Sequence, residues 1–326
     1  MKTLYAFIIT VVILGCGQNS NEKKTAYLPD SVGGINGLQV VIAEDLWRGP
    51  VGDTIRSIFA SPVPGLPQEE PLFTLNHLPL AQFSDFARTY RNVLHVALAE
   101  TDTLAMRKNA YAQPQIIAFV QGKEPQDLIQ ALIKQKTTLT QTFLIQEIKE
   151  RQQRTMISPL AIAGLTRDFG VELNIPSAYH IAAESSAYYW LRKELKANGS
   201  TNIFIYQAPL ESFPEGTNPA IAMQHIRDSI GAMLLPVEDG SKFITDSNYQ
   251  LHTESTTIED RMCYVTKGLW TIDDAFMAGP FVTFAIRDET RERYLILEGF
   301  TYAPSMSKRD LQFELESILR TVRFLD

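Results

Sequence analysis

Apolar and polar positions in the first half of the chain alternate between strand-like runs and amphipathic stretches of helical period. The apolar runs predict four strands, at residues 38–42, 73–78, 92–98 and 115–120. Apolar side chains at helical spacing predict helices at residues 50–60, 80–90 and 125–154. The last of these begins at Pro125, a residue suited to the first turn of a helix. The alternation of strands and helices predicts an α/β layer for this half.

The second half is richer in strands joined by short connections. Apolar and β-branched runs predict strands at residues 171–176, 188–191, 202–206, 249–255, 261–270, 279–287 and 293–302. Helices are predicted at residues 159–169, 218–233 and 307–322. Short connections favour antiparallel pairing. The predicted fold class is therefore α/β (α+β) with two sandwich-like domains: an N-terminal mixed α/β layer at residues 38–155, and a C-terminal antiparallel sheet flanked by helices at residues 156–326.

The first residues have the features of an export signal. Lys2 precedes an apolar run at residues 4–14, which is too short to span a bilayer, where roughly 20 residues are needed. The sequence Ile13-Leu14-Gly15-Cys16 resembles the bacterial lipobox, in which the chain is cut before a cysteine that receives diacylglycerol. We therefore expect residues 1–15 to be a signal peptide and Cys16 to be the lipid attachment site. Residues 16–37, which are polar and rich in Gly, Asn and Ser, are predicted to be a flexible tether.

The residues that follow Cys16 predict where the protein is located. Gly17 stands where an aspartate would retain a lipoprotein at the inner membrane, so the general sorting pattern favours the outer membrane. Lys23 and Lys24 beside Glu22 differ from the acidic tract that directs Bacteroidota lipoproteins to the cell surface. We expect a lipid-anchored protein of the cell envelope, in the outer membrane and facing the periplasm.

Composition and charge exclude some classes of partner. The chain has 30 basic and 37 acidic residues and a formal net charge of −7. Nucleic-acid binding requires a basic stripe, which this balance does not provide. Adhesion to anionic lipid headgroups is disfavoured for the same reason, so membrane attachment is expected to rest on the lipid at Cys16. With Cys16 acylated, Cys263 has no cysteine to pair with, and its apolar neighbours indicate a position in the core.

Searches for catalytic or metal-binding chemistry find no motif. The chain lacks G-x-S-x-G, a Walker-type phosphate loop, H-E-x-x-H, C-x-x-C and a Rossmann glycine fingerprint. A metal site could be assembled from His225, His252 and Cys263, but nothing in their spacing requires one. Asp273 and Asp274 are adjacent in a connection between strands, which is more typical of a solvated turn than of an acid/base pair. We predict no catalytic residue, cofactor or metal.

Two segments and one tryptophan are candidates for a binding surface. Three prolines within residues 61–67 exclude a helix or a central strand, so this loop is rigid and extended. A rigid loop binds a partner with little ordering cost. Residues 276–281 combine a glycine-proline bend with aromatic neighbours. The predicted contact surface comprises Trp47, Pro64, Gly65, Leu66, Pro67, Met277, Gly279, Pro280 and Phe281.

Several segments together resemble one protein family. They are Glu44-Asp45-Leu46-Trp47, the loop at residues 62–73, Lys267-Gly268-Leu269-Trp270, residues 277–282 and residues 298–304. With the lipobox, these segments are similar to the DUF4837 group of Bacteroidota lipoproteins over essentially the whole mature chain. The resemblance implies an envelope lipoprotein of uncharacterised function, and it supplies no catalytic residue.

Residues 171–326 also resemble the PsbP/Mog1/DcrB-like α/β/α sandwich. The resemblance is carried by Ile175-Pro176 with Tyr179, a middle helix, antiparallel strands and a closing helix that includes residues 318–322. Such domains mostly act as binding or assembly modules, which is the role that this resemblance implies.

These observations favour a cell-envelope lipoprotein that acts as a non-enzymatic binding or assembly module. Its expected partners are the membrane, through the lipid on Cys16, and either an envelope protein or a small ligand, but not nucleic acid. Two alternatives remain open. One is a hydrolase of envelope polymers with Asp273 or Asp274 as the acid/base, and the other is a structural subunit of an envelope complex.

Overall fold

The computed structural model describes residues 27–235 and 240–325. The predicted signal peptide, the lipid attachment site at Cys16 and tether residues 16–26 lie outside these ranges. None of the helices in the described ranges combines the length and the hydropathy that a bilayer-spanning segment requires.

The N-terminal domain is built around a five-stranded sheet. Its elements, in chain order, are β1 (Gly37–Val41), α1 (Glu44–Arg48), α2 (Pro50–Phe59), β2 (Thr74–Leu78), β3 (Asn92–Leu98), β4 (Thr103–Lys108), β5 (Ile116–Gly122) and α3 (Pro125–Thr155). The strand order is β2-β1-β3-β5-β4. All neighbouring strands are parallel except β4 and β5, so β4 is an antiparallel edge strand.

The main core of this domain lies between one face of the sheet and the three helices. Phe59 on α2, Phe73 before β2 and Phe143 on α3 contact one another there, with ring centroids between 6.1 and 6.4 Å apart. A smaller cluster around Val41, Val93 and Ile117 covers the opposite face. Because both faces bury apolar side chains, the central parallel strands are apolar along almost their whole length.

Helix α3 is long because its sequence both starts and sustains it. Glu124 and Asp127 form a capping box that satisfies free N–H groups of the first turn, and Pro125 occupies the first helical turn. Leu128, Leu132, Leu139 and Phe143 follow on one face and are fully buried against the sheet. The second half of α3 also contacts the C-terminal domain, through Arg151 and Gln152.

The C-terminal domain is built around an eight-stranded antiparallel sheet. Its elements, in chain order, are β6 (Pro159–Leu160), α4 (Ala163–Phe169), β7 (Val171–Glu172), β8 (Ile175–Pro176), β9 (His180–Ser185), β10 (Tyr188–Glu194), β11 (Ser200–Pro209), α5 (Pro219–Leu234), β12 (Phe243–Thr245), β13 (His252–Ile258), β14 (Arg261–Ile272), β15 (Ala278–Asp288), β16 (Arg293–Tyr302), α6 (Arg309–Leu319) and β17 (Arg323–Phe324). The order in the main sheet is β12-β14-β15-β16-β11-β10-β9, and β13 also pairs with β14.

Helices cover both faces of this sheet. Helices α4 and α6 pack on one face, over a core that includes Cys263, and α5 packs on the other. Helix α6 approaches the sheet closely, since a Cβ placed on Gly299 of β16 would lie 2.8 Å from Leu315 Cβ. Helix α4 ends at Gly170, whose left-handed conformation (φ +61°) is one that glycine adopts without strain. Helix α6 packs on the sheet and also contacts α3, so it lies between the sheet and the first domain.

A buried carboxylate connects three segments of the N-terminal domain. Glu147 on α3 is fully buried and forms an ion pair with Arg91, with Glu147 Oε1 2.6 Å from Arg91 Nε. The same carboxylate accepts hydrogen bonds from the Asn92 side chain at 2.7 Å and from the Asn36 backbone N–H at 2.6 Å. The charge is therefore compensated and hydrogen-bonded, which is the condition for burying a carboxylate.

The predicted fold class is confirmed. The first half is a mixed α/β layer and the second is an antiparallel sheet flanked by helices. The predicted strands at residues 92–98 and 293–302 coincide with β3 and β16, and the helix predicted from Pro125 to about residue 154 is α3.

Two local predictions are corrected. The end of the predicted tether packs on the first domain: Val32 N–H donates to Thr89 O at 2.9 Å, and Asn36 is buried. The helix predicted at residues 80–90 is replaced by two short 3₁₀ turns, Leu80–Gln82 and Asp85–Thr89, with Asp85 at φ +43°. A positive φ interrupts an α-helix, and periodicity over so short a stretch does not reveal it.

Replacing Glu147 by glutamine should destabilise the protein severely. The Glu147→Gln variant leaves the buried Arg91 guanidinium with only the more distant Glu150 carboxylate, 3.6 Å away, and removing one partner of a buried pair costs about 3–5 kcal/mol. Chemical denaturation should show this loss in the free energy of unfolding. As a control, Glu289→Gln removes an exposed pair with Arg287 and should cost about 0–1 kcal/mol. Equal losses in the two variants would contradict the role given to Glu147.

Candidate functional site

The two domains meet along helices α3 and α6. The Arg151 side chain of α3 forms an ion pair with Glu314 of α6. One residue further along α3, Gln152 Nε2 donates to Ser317 O at 3.1 Å. Near the start of α6, Asn36 Nδ2 of the first domain donates to Asp310 Oδ1 at 3.0 Å. The contact therefore follows much of the length of α6.

The proline loop at residues 61–71 forms a second connection between the domains. The loop is closed on itself, because Val63 N–H donates to Glu70 O and Leu72 N–H donates to Ser61 O. Its Glu70 carboxylate accepts from the backbone N–H groups of Lys308 and Arg309 at 2.7 and 3.0 Å. These are free N–H groups at the start of α6, where a carboxylate is stabilised by both hydrogen bonding and the helix dipole.

The tip of the proline loop contacts β14 directly. Gly65 N–H donates to the Tyr249 hydroxyl at 3.2 Å. Gly65 has φ +86°, and a Cβ at this position would lie 2.8 Å from Lys267 Cβ. Both the backbone conformation and the close approach therefore favour glycine. The loop packs on the second domain, with Gly65 and Leu66 buried and Pro64 and Pro67 exposed.

A cavity of about 530 Å³ lies between the two domains. Helix α3 contributes Gln141, Leu144, Ile145 and Ile148, and the proline loop contributes Val63, Pro64, Gly65 and Leu66. The second domain lines the other side with residues of β13, β14, β15 and α6, among them Glu254, Lys267, Phe281, Gln312, Phe313, Glu316 and Arg320. We call this cavity the interdomain cleft.

One wall of the interdomain cleft is charged. Glu316 Oε2 is 2.7 Å from Lys267 Nζ, and Glu316 Oε1 is 2.7 Å from an Arg320 guanidinium nitrogen. Burial opposes ionisation of Glu316, but the two cations outweigh burial and lower its pKa from the ordinary value of 4.5 to about 2. Glu316 is therefore ionised at neutral pH, and the three groups together carry one excess positive charge.

The residues of the predicted contact surface are not brought together as one surface. Pro64, Gly65, Leu66 and Phe281 line the interdomain cleft, whereas Pro67 lies just outside its lining. Trp47 instead stacks on His77, with ring centroids 5.0 Å apart, and lies under the Arg56 guanidinium.

The glycine-proline segment is divided in the same way. Met277 is at the tip of the β14–β15 connection, where it is 39% exposed. Gly279 and Pro280 are buried within β15, and Pro280 O accepts from Gln312 Nε2 at 3.1 Å. The segment is therefore partly a strand of the main sheet, because the glycine-proline pair continues β15 instead of forming a free bend.

Neither the aspartate pair nor the histidines form a site in the described residues. Asp273 accepts from the Lys242 backbone N–H, and Asp274 is exposed at φ +63°, so both belong to a turn outside the interdomain cleft. Cys263 is buried, and burial raises the pKa of its thiol to about 12. Within the described ranges, no group of three His, Cys, Asp or Glu side chains could hold a metal ion.

A second cavity of about 440 Å³ lies between α5 and the end of β11. Its lining is mostly apolar and includes Pro209, Pro214, His225 and Ile230. Unlike the interdomain cleft, its lining contains no Asp, Glu, Lys or Arg side chain, so it offers little to orient a charged ligand.

Sequence reasoning missed Glu70, Asn36, Glu316 and Arg320. Glu316 and Arg320 occupy i and i+4 positions around the end of α6, a spacing that signals an ion pair but not its burial in a cleft. Glu70 and Asn36 gave no signal, because their partners in α6 are more than 200 residues away along the chain.

The fold and the cleft define a two-domain α+β protein. Its domains are joined by the contact of α3 with α6 and by the proline loop, and a cavity lies between them. The chain belongs to the family defined by a domain of unknown function, DUF4837, which matches residues 158–321. A second domain of unknown function, DUF8532, matches residues 31–156. The similarity to DUF4837 was expected over essentially the whole mature chain, but the family match covers the second domain only. The similar segments at residues 44–47 and 62–73 lie in the region that DUF8532 matches.

Comparisons with individual proteins add little. No curated protein matches the sequence. A crystal structure from Bacteroides thetaiotaomicron VPI-5482 is similar over 49% of this chain at 10% identity, with a TM-score of 0.28, and this chain spans 46% of its length. A mutant of the protein Mog1 is similar over 52% of this chain and 96% of its own, at 12% identity, with a TM-score of 0.32.

The Saccharomyces cerevisiae Ran-binding protein Mog1p gives the same TM-score of 0.32 at 10% identity, over 52% of this chain and 95% of its own. Scores of this size support no conclusion about what this chain does.

Replacing Glu70 should loosen the proline loop from α6. Glu70→Ala leaves two N–H groups at the start of α6 without their acceptor, and loss of such a cap costs about 0.5–2 kcal/mol. Hydrogen exchange should become faster at Lys308 and Arg309 and across residues 61–71. Glu69→Ala changes the exposed neighbouring glutamate and should leave these amides unchanged. Unaltered exchange in Glu70→Ala would show that the cap does not hold the loop.

The ion-paired Glu316 should make stability depend on pH in acid. Because its folded-state pKa of about 2 lies below the ordinary 4.5, Glu316 stabilises the fold above about pH 4.5, and this contribution is lost as pH falls toward 2. The free-energy difference between wild type and Glu316→Gln should therefore be largest at neutral pH and shrink below 4.5. Urea denaturation over this range measures it. Gln312→Ala removes no titrating group and should cost the same throughout.

Proposed function

We propose that the protein is a cell-envelope lipoprotein of Bacteroidota that acts as a non-enzymatic binding module. It is held at the outer membrane by a lipid on Cys16 and faces the periplasm. Its two domains bind a small ligand together, in the interdomain cleft.

The anchor is inferred from the sequence alone. The apolar run at residues 4–14 and the Gly15-Cys16 pair have the form of a lipoprotein signal, and Gly17 favours the outer membrane. The polar residues between Cys16 and Pro29, whose carbonyl accepts a hydrogen bond from Gln113 of the first domain, provide the length that a domain needs to stand clear of a bilayer.

The observation that carries the binding role is the interdomain cleft itself. Its volume of about 530 Å³ is within the range of about 300–1,000 Å³ that is usual for small-molecule sites. Both domains line it, and the lining combines apolar side chains with a few charged ones, which is the composition expected of such sites. The proline loop and α6 fix its walls, so a ligand would meet a largely preformed site.

The charged groups of the cleft favour binding over acid/base catalysis. Glu316 is held ionised by Lys267 and Arg320 and so has no proton to donate at neutral pH. Arg309 is engaged by Asp310, with their closest atoms 2.8 Å apart. Asp273 and Asp274, the candidates of the hydrolase alternative, lie outside the cleft. The structure of the described residues gives that alternative no support.

A bound ligand should be retained only when no enlarged side chain blocks the interdomain cleft. Native mass spectrometry of protein purified from its own envelope should show an added mass on wild type. Ile145→Trp places a large ring in the lining and should abolish the added mass. Ile133→Trp is the matched control, because Ile133 lies on the same helix with 54% exposure, against 52% for Ile145, but outside the lining. Retention by Ile145→Trp, or absence of any ligand from wild type, would contradict the proposal.

The same preparation tests the anchor separately. The wild-type protein should partition with the membrane fraction, and Cys16→Ser should lose the lipid mass and appear in the soluble fraction. If Cys16→Ser stays with the membrane and keeps the mass of wild type, the anchoring role of Cys16 is wrong while the binding role of the cleft is unaffected.

A further inference from the structure

We propose that the interdomain cleft binds an amphipathic monoanion, with a carboxylate head held by Lys267 and Arg320 and an apolar tail lying along α3. This inference rests on the proposed binding role of the cleft and names the chemical class of its ligand.

The apolar side of the cleft can hold an extended hydrocarbon tail. Leu144, Ile145 and Ile148 present apolar side chains from α3, and Phe313 of α6 and Leu66 of the proline loop also line the cleft. Ile145 is 52% exposed, so apolar surface remains open to solvent within a cavity. Burying that surface against a hydrocarbon tail is favourable, because each methylene removed from water contributes about 0.8 kcal/mol.

The charged side of the cleft retains donors for a second anion. Glu316 accepts one hydrogen bond from Lys267 and two from Arg320. An ammonium group has three N–H donors and a guanidinium has five, so both cations keep donors that Glu316 does not use. Across the described residues, no other side chain accepts from these two groups. They remain partly open, with Lys267 26% and Arg320 24% exposed.

The balance of charge around the cleft selects a monoanion. Lys267, Arg320 and Glu316 together leave one excess positive charge. Arg309 adds none, because Asp310 neutralises it. Glu254, an exposed carboxylate of the lining, brings the summed charge of these groups to zero, so the lining as a whole would repel a ligand that carried more than one negative charge. A single carboxylate matches the excess that Lys267, Arg320 and Glu316 leave on this wall, and its charge-assisted hydrogen bonds to the unused donors of the two cations would be strong.

Binding of dodecanoate to the full chain tests this inference, with dodecanol as the neutral analogue of equal tail length. Isothermal titration calorimetry below the micelle concentration should show dodecanoate binding at least tenfold more tightly than dodecanol, since a hydrogen bond to a charged group contributes that much. Decanoate, which is two methylenes shorter, should bind roughly tenfold more weakly than dodecanoate.

Variants of residues that line the cleft test whether dodecanoate binds there. Arg320→Gln removes the excess positive charge and should weaken dodecanoate binding about tenfold or more while leaving dodecanol binding nearly unchanged. Arg323→Gln changes a nearby exposed arginine outside the lining and should leave both affinities as in wild type. Ile145→Trp should abolish binding and Ile133→Trp should not. Circular dichroism and thermal melting show whether each variant is folded, and Lys267→Met replaces Arg320→Gln if the latter is unfolded.

Each outcome separates this inference from the proposed function. Equal affinity for dodecanoate and dodecanol overturns the monoanion head, and equal affinity of Ile145→Trp and wild type for dodecanoate places binding elsewhere and overturns the inference. No dodecanoate binding, combined with an envelope ligand that Ile145→Trp loses, overturns the ligand class while the cleft remains a binding site. No dodecanoate binding and no envelope ligand overturn both.

Discussion

The buried carboxylate of Glu147 fixes the position of α3, and the arrangement of the two domains depends on α3. Its oxygens bind Arg91 and Asn92 at the start of β3 and the Asn36 backbone before β1, so helix and sheet cannot shift independently. The Asn36 side chain in turn donates a hydrogen bond to Asp310 on α6. Arg151, one turn after Glu147 on α3, forms an ion pair with Glu314 of α6. A single desolvated charge thus determines how the first domain presents its contacts to the second.

The cleft follows from having two separate lines of contact. The second half of α3 binds α6 on one side, and the proline loop binds the start of α6 and β14 on the other. Between these lines the domains do not close, because Ile145 and Ile148 of α3 face side chains of β13 and α6 across open space. Contacts on both sides keep the walls in place. A ligand would therefore bind with little cost for ordering the protein.

Sequence patterns predicted those features that depend on neighbouring residues. Pro125 and a continuous apolar face specified α3, and alternating apolar residues specified β16, because both elements are encoded by local period. The rigidity of the proline loop was also predictable from composition. Its role was not, since Glu70 acts on N–H groups 238 and 239 residues later in the chain. Trp47 illustrates the same limit, because stacking on His77 occupies a ring that the sequence suggested for a partner.

Overall charge and local charge have opposite signs in this protein, and this opposition constrains how an anion could bind. The chain carries a formal net charge of −7, whereas Lys267, Arg320 and Glu316 leave a positive excess on one wall of the cleft. At physiological ionic strength charges are screened beyond about 8 Å, so the excess acts only on a ligand that is already in the cleft. Electrostatic steering would not accelerate entry. Apolar contact must therefore supply much of the affinity, and the charged wall would act mainly by orienting the head and slowing its release.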